Sequence, residues 1–313
     1  MGDAVIETDR LGKKFSSVVA LAELTLQVNR GEVVGYLGPN GAGKTTTLRL
    51  LLGLSRPTSG RATLFGLDCQ RDAVAAHARL AYVPGEANLW PQLTGAETLH
   101  LLGRVHGSVD TAYRDVLVER FALDPSKKVR AYSKGNRQKV LLIAALMTRA
   151  ELLLLDEPTS GLDPLMEQAF RVCVREAGEQ GQTVFLSSHI LSEVEALCDR
   201  VAILREGRLV EIGTLDSMRR LSALTVEAVF EHTPPDLSQI PGVRGLVVEG
   251  NRVRLQVHGS IDAVVTALAG SGVRELLSRE PSLEELFLAH YGPGGSAPSI
   301  EPERLDASRS EGR

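Results

Sequence analysis

Gly38-Pro39-Asn40-Gly41-Ala42-Gly43-Lys44-Thr45-Thr46 decides the fold. The stretch fits G-x-x-x-x-G-K-[ST], the phosphate-binding loop. An apolar run, Val33-Val34-Gly35-Tyr36-Leu37, leads into it, and a helix-like run, Thr46 to Leu52, leads out. That strand–loop–helix context is what gives the pattern structural meaning. Gly38, Gly41 and Gly43 permit backbone angles that side chains forbid. Successive N–H groups then face inward around a polyphosphate, and the next helix adds its positive end. In this pattern Lys44 reaches the β/γ-phosphates and the Thr45 hydroxyl ligates Mg2+.

Upstream, Ala4–Thr8, Val18–Leu21 and Leu24–Val28 alternate in strand fashion, and Asn29-Arg30-Gly31-Glu32 is a turn. We expect a small antiparallel sheet beside the loop. Phe15 precedes these strands and has two readings: an exposed ring that stacks on a base, or a core aromatic. Downstream, Ala62–Gly66 and Ala81–Pro84 read as strands. Residues 86–150 are helical in period, with Thr94 and Glu97 as a capping box and Val116, Leu117, Phe121 and Leu123 as one apolar face. This predicts a helical subdomain inserted between core strands.

Leu152-Leu153-Leu154-Leu155 is a continuous apolar run, suited to a strand buried on both faces of a parallel sheet. It ends in Asp156-Glu157. In open α/β sheets ligands sit at the carboxyl ends of strands, so the two carboxylates are placed to meet the phosphate loop. A helix over 165–180 follows. Thr183 to Ser188 is the next strand and ends at His189, again at a carboxyl end. Leu191, Val194, Leu197 and Cys198 share a helix face, and a hairpin around Glu206-Gly207 closes the large domain.

From about residue 222 the pattern changes. Thr225–Phe230 alternates, and Gly250-Asn251 separates two further strands in a hairpin. Ser260 is expected to cap one helix, and Ser282 with Glu285 another, over 283–291. This predicts a small α+β domain over 221–292. The tail 293–313 is poor in apolar residues and reads as disordered.

The chain has 313 residues, 43% of them hydrophobic, and a net charge of −4. One large and one small domain are expected. The mild acidity points away from nucleic acid as a partner. Cys69, Cys173 and Cys198 show no metal spacing and read as reduced, buried thiols. Met1-Gly2-Asp3-Ala4 lacks the pattern of a signal peptide. The longest apolar run, Val140 to Met147, has eight residues. A membrane span needs about 20. A cytoplasmic protein is expected, and any membrane-spanning part must come from another chain.

Four more stretches line up behind the loop: Tyr132-Ser133-Lys134-Gly135-Asn136-Arg137-Gln138, Leu152–Glu157, Ser160-Gly161-Leu162-Asp163, and Ser188-His189. Together with the loop, over residues 1 to about 215, they resemble the nucleotide-binding subunit of ATP-binding cassette (ABC) transporters. Residues 216–292, with Glu280-Pro281-Ser282-Leu283-Glu284-Glu285-Leu286-Phe287, resemble the accessory domain of ABC-2-type exporters, which include drug and antibiotic self-resistance pumps. The resemblance implies an α/β fold. Its P-loop NTPase (RecA-like) core over 1–220 carries an antiparallel β subdomain and a helical subdomain at about 86–150, followed by the small α+β domain.

The resemblance also implies roles. ATP and Mg2+ are the expected cofactors. Asp156 and Thr45 hold the metal, Glu157 is the general base, and His189 contacts the γ-phosphate. Phe15 stacks on adenine. The loop residues Gly38, Pro39, Asn40, Gly41, Ala42, Gly43, Lys44, Thr45 and Thr46 bind the nucleotide, joined by Asp163. Ser133, Lys134, Gly135 and Asn136 form the signature stretch, which in the family contacts the nucleotide of the other subunit. The chain has one phosphate loop and one signature, so two complete sites require two copies, head to tail. The further partner is a polytopic membrane permease, which places the chain peripherally on the cytoplasmic face of the membrane.

Two departures stand out. Lys134 and Asn136 occupy positions that are glycine and glutamine in the commoner Leu-Ser-Gly-Gly-Gln. Gly85, in Tyr82-Val83-Pro84-Gly85-Glu86, occupies the place of a family glutamine that touches Mg2+, and Glu86 is the candidate substitute. Asn88-Leu89-Trp90-Pro91 lies by analogy near the groove for a permease helix, so partial exposure of Leu89 or Trp90 is expected. A soluble cassette ATPase of repair or translation is the alternative, but the second cassette, coiled coil or zinc insertion usual there is not visible. An idle subunit is disfavoured by Glu157 and His189. A small GTPase is excluded because no Asn-Lys-x-Asp motif is present.

Overall fold

The structure is a computed structural model that describes residues 4–107, 109–220 and 224–279. The chain divides into two compact units, Met1–Ala223 and Leu224–Arg313.

The first unit opens with two long antiparallel strands, β1 (Ala4–Phe15) and β2 (Val18–Asn29). The separate short runs at Val18 and Leu24 are thus one strand, and Phe15 ends β1 rather than preceding the sheet. The cause is a set of register shifts around residues 8–14, where extra residues interrupt the alternation. β3 (Val33–Leu37) feeds the phosphate loop, and α1 (Lys44–Leu51) leaves it. β4 (Ser59–Leu64) and β5 (Leu67–Asp68) complete a sheet of order β2-β1-β4-β5. A short helix α2 (Ala73–His77) leads to β6 (Leu80–Val83).

Three helices then intervene: α3 (Gly95–His106), α4 (Thr111–Arg120) and α5 (Lys134–Leu146). Thr94 and Glu97 form the expected capping box on α3. Leu117, Phe121 and Leu123 are buried, but Val116 is 46% exposed and leaves that apolar face. The core resumes with β7 (Leu152–Asp156), α6 (Pro164–Glu179), β8 (Thr183–Ser188), α7 (Leu191–Leu197), β9 (Arg200–Arg205), β10 (Arg208–Thr214) and α8 (Leu215–Arg220).

The main sheet has the order β10-β9-β3-β8-β7-β6. β9, β3, β8, β7 and β6 are parallel and β10 is antiparallel to β9. Every residue of β3, β7 and β8 is buried, as expected for strands covered on both faces. Tyr36 on β3 packs against Phe185 on β8 with ring centroids 5.1 Å apart, and its hydroxyl shares a 3.1 Å hydrogen bond with Thr47 of α1. These contacts seat the helix that carries the loop's exit. All three cysteines are free and buried.

The second unit contains β11 (Leu224–Phe230), β12 (Val243–Glu249), β13 (Arg252–Val257), α9 (Asp262–Leu268) and β14 (Val273–Arg279). Its antiparallel sheet has the order β12-β13-β11-β14. Val264 and Leu268 of α9 join Phe230, Val253 and Leu255 in its core. Ile261, not Ser260, holds the N-cap position of α9, although the Ser260 hydroxyl accepts the Asp262 N–H at 3.1 Å. The expected capping box at Ser282 and Glu285, the Glu280–Phe287 motif and the disordered tail lie outside the described residues.

Candidate active site

Three loops at the carboxyl ends of β3, β7 and β8 build the site. The phosphate loop turns tightly because glycine stands where no side chain fits. Gly43 has φ of 110°, and a Cβ there would lie 2.5 Å from the Ala20 carbonyl. A Cβ on Gly38 would lie 2.6 Å from the Leu204 carbonyl. Ala42 N–H closes the turn onto Pro39 O at 3.1 Å. Pro39, Asn40 and Gly41 face solvent. Lys44 folds back over the loop, and its ammonium donates to Gly38 O at 2.6 Å and Pro39 O at 3.3 Å. Thr45 and Thr46 are half-buried in the first turn of α1.

β7 delivers the two carboxylates into different surroundings. Asp156 is 2% exposed, and its Oδ1 accepts the Ser187 hydroxyl at 2.6 Å. The same hydroxyl accepts the Glu157 N–H at 3.2 Å, so one serine orients both residues. Glu157 has φ of 46°, a left-handed conformation that costs a non-glycine residue about 1–2 kcal/mol. The turn swings its carboxylate off the strand axis. Glu157 Oε1 then lies 3.5 Å from Lys44 Nζ and 3.2 Å from His189 Nδ1.

A cavity of about 520 Å³ opens beside them, walled by Asn40, Thr45, Arg49, Asp156, Glu157 and Lys134 among others. Glu86 and Gly85 form part of the same wall. Tyr82 completes it; burial, then the Asp156 charge, pushes its phenol up to about 12, so it stays neutral. Lys134 reaches the wall with its ammonium on Ser160 Oγ at 2.9 Å, its stem lying along Gly161.

Among the described residues no group of three or more His, Cys, Asp or Glu could hold a metal alone. The Thr45 hydroxyl and Asp156 carboxylate are hard oxygen donors in one cavity. That fits Mg2+, which takes one or two protein oxygens and completes its shell with phosphate and water.

Other sequence candidates stand apart from the cavity wall. Phe15 is 52% exposed at the end of β1, with Lys13 Nζ 4.8 Å from its ring centre. Ser133 is the N-cap of α5 and accepts the Asn136 N–H at 3.2 Å, so the helix starts at Lys134. Gly135 packs against the Gly161 carbonyl. Asp163 Oδ1 caps α6 through the N–H groups of Leu165 and Met166, both at 3.1 Å, so α6 begins at Pro164. Arg49 and Ser187 were not anticipated. Arg49 follows Thr45 by four positions on a helix, hence on one face, which is a signal the sequence contained.

The profile of the family described as ABC transporter matches residues 21–160. The daunorubicin resistance ATP-binding protein DrrA3 of Streptomyces coeruleorubidus is 36% identical over 306 residues, covering 92% of this chain and 96% of the relative. The chain belongs to the ABC transporter family of ATP-binding proteins. It is an ATPase subunit of that family. This ABC subunit is also 35% identical to the bacitracin transport ATP-binding protein BcrA of Enterococcus faecalis, over 94% of this chain and 98% of that one. A solved ATP-binding subunit of an ABC transporter superposes on it with a TM-score of 0.65 at 33% identity, covering 69% of this chain and 92% of the other.

Proposed function

We propose that this ABC subunit binds and hydrolyses ATP as one of two head-to-tail copies and powers a separate permease that exports a drug, antibiotic or similar compound. The observation that carries the chemistry is Glu157, whose Oε1 meets both Lys44 and His189 at the edge of the Thr45–Asp156 cavity. A polyphosphate entering the loop competes with Glu157 for the Lys44 ammonium. Its arrival frees Glu157 to accept a proton from the attacking water only when nucleotide is present. His189, with Nδ1 turned to Glu157, leaves Nε2 for the terminal phosphate. Thr45 and Asp156 would hold Mg2+, which would supply charge neutralisation on the phosphate oxygens; catalysis is otherwise positioning and electrostatics. Glu86, on the cavity wall beside Gly85, takes the part of the missing glutamine.

The names of DrrA3 and BcrA favour transport over repair or translation. Among the described residues no helix is long and apolar enough to cross a membrane, so the reading needs a permease from another chain. We assign its docking surface to an open apolar cavity of about 600 Å³ between α2, α3 and α5. Leu54, Val74 and Val105 line it and are 67%, 87% and 78% exposed, an uncovered apolar patch of the kind that marks a partner site. Trp90, 49% exposed, lies in the preceding segment. Phe15 stacks on adenine, Asp163 joins the loop residues on the nucleotide, and the Ser133–Asn136 stretch meets the nucleotide of the second copy; the permease holds the chain at the cytoplasmic membrane face.

The test is affinity purification of tagged Glu157→Gln from native membranes with and without ATP. A stoichiometric polytopic membrane protein is the expected companion. Recovery of soluble partners or nucleic acid alone overturns the transport reading and leaves the ATP chemistry standing.

A further inference from the structure

Glu193, in the first turn of α7, is a buried carboxylate that the chemistry above leaves without a role. It is 3% exposed, and its Oε1 is sealed from solvent without a hydrogen-bond partner among the described residues. Burial raises its pKa; the Ser188 and Thr159 hydroxyls oppose that shift, Glu167 on α6 adds to it and Arg171 on α6 opposes it. A carboxyl in such a place is unfavourable for stability, and an apolar residue of similar volume would pack there more readily. Its presence is therefore explained by what its other oxygen does.

Glu193 Oε2 accepts the Ser188 hydroxyl at 2.7 Å. A hydroxyl has one proton. With that proton directed at Glu193, the oxygen's lone pairs are free to accept the Ile190 N–H at 3.0 Å. The alternative acceptor, Ile190 O, lies further away at 3.4 Å. The chain Glu193–Ser188–Ile190 therefore locks a turn of three residues, and the middle one is His189. The imidazole itself is 46% exposed and meets Glu157 Oε1 through Nδ1 at 3.2 Å, and that turn fixes the backbone from which it projects. The anchor is firm: Val194, next to Glu193, is fully buried against Gly35 of β3, where any Cβ would overlap it. β3 is the strand that feeds the phosphate loop.

We propose that Glu193 is a positioning residue that fixes His189 against Glu157 by orienting the Ser188 hydroxyl. The proposal rests on the reading of His189 given above. The experiment compares ATP hydrolysis by the full chain carrying Glu193→Ala, Glu193→Gln, His189→Ala and the Glu193→Ala/His189→Ala pair. Glu193→Ala is expected to lower kcat about 10- to 100-fold, as a misplaced catalytic group does. KM for ATP should stay within about twofold, because the interaction matters to the transition state and not to ground-state binding. Glu193→Gln keeps an acceptor for Ser188 and recovers most of the loss. In the His189→Ala background Glu193→Ala should cost nothing more, since both changes remove one function. Wild-type kcat in Glu193→Ala, or losses that add in full, overturns the proposal. Wild-type kcat in His189→Ala overturns the reading of His189 beneath it. If Glu193→Ala does not fold, Ser188→Ala severs the same link from the other side and is judged by the same two criteria.

Discussion

The two ends of the parallel sheet both gather charge, and they use it in opposite ways. At the amino end, Glu151 before β7 is gripped by two arginines. Arg79 Nε and Nη2 donate to its two oxygens at 2.6 and 2.9 Å, and Arg30 Nη1 donates at 2.7 Å. Arg79, then Arg30, pull its carboxyl down to about 2. A group so strongly held charged is a poor proton acceptor near neutrality. At the carboxyl end, Glu157 sits at a positive φ and shares one oxygen between Lys44 and His189 at 3.5 and 3.2 Å. Tight, two-pronged pairing suits a clamp; loose, exchangeable pairing suits a group that must change partners. With Glu157 as the proposed base, one sheet separates holding from reacting by strand polarity.

The contrast is broken most forcefully at Glu157. Glu157→Gln keeps the shape and removes the proposed base. ATP hydrolysis should fall about 10²- to 10⁴-fold, measured as phosphate release. Thermal stability should not fall, and a dimer formed on ATP should persist in size-exclusion chromatography. A variant that hydrolyses normally places the base elsewhere and erases the functional half of the comparison.

A middle-sized effect is expected at Glu86. Glu86→Ala should raise the Mg2+ concentration for half-maximal hydrolysis about tenfold, the loss typical of an outer-shell partner. A Cβ on Gly85 would lie 3.4 Å from the Asp156 carbonyl oxygen and 3.7 Å from its Oδ2, ordinary contacts. Gly85→Gln in the Glu86→Ala background is therefore accommodated and should restore metal affinity. Unchanged Mg2+ dependence in Glu86→Ala removes that residue from the reactive end.

What the sequence revealed follows from distance along the chain. The phosphate loop is contiguous, and its glycines answer to local backbone demands, so the strand–loop–helix around it could be read directly. The apolar run Leu152–Leu155 of β7 and the serines before His189 announced strand ends in the same way. The hydroxyl of Ser187 on Asp156 was hidden, because its partner is 31 positions away. The Arg30–Glu151 clamp joins residues 121 positions apart and was hidden for the same reason. Periodicity reports which face a residue occupies, not which neighbour the sheet order will bring. Irregular residues at Arg10 on β1 and Glu23 on β2, at φ of 46° and 50°, make two continuous strands look like fragments in the sequence.

The smallest expected effect lies at the clamp and tests the comparison from its quiet side. Glu151→Gln removes the charge but keeps the shape. Glu151 is 39% exposed, so water screens the pair and the loss should be about 0.5–1 kcal/mol. That corresponds to a melting temperature lower by about 1–4 °C in a unit of this size. Its folded-state pKa is depressed from 4.5 to about 2, so the stabilisation is present in full above pH 4.5 and fades as pH falls toward 2. The gap between wild type and variant should narrow across that window and stay constant above it, while kcat at neutral pH is unaltered. A Glu151→Gln variant with reduced kcat would mean that strain at the amino end reaches the carboxyl end along β7, and that holding and reacting are coupled through the strand that joins them.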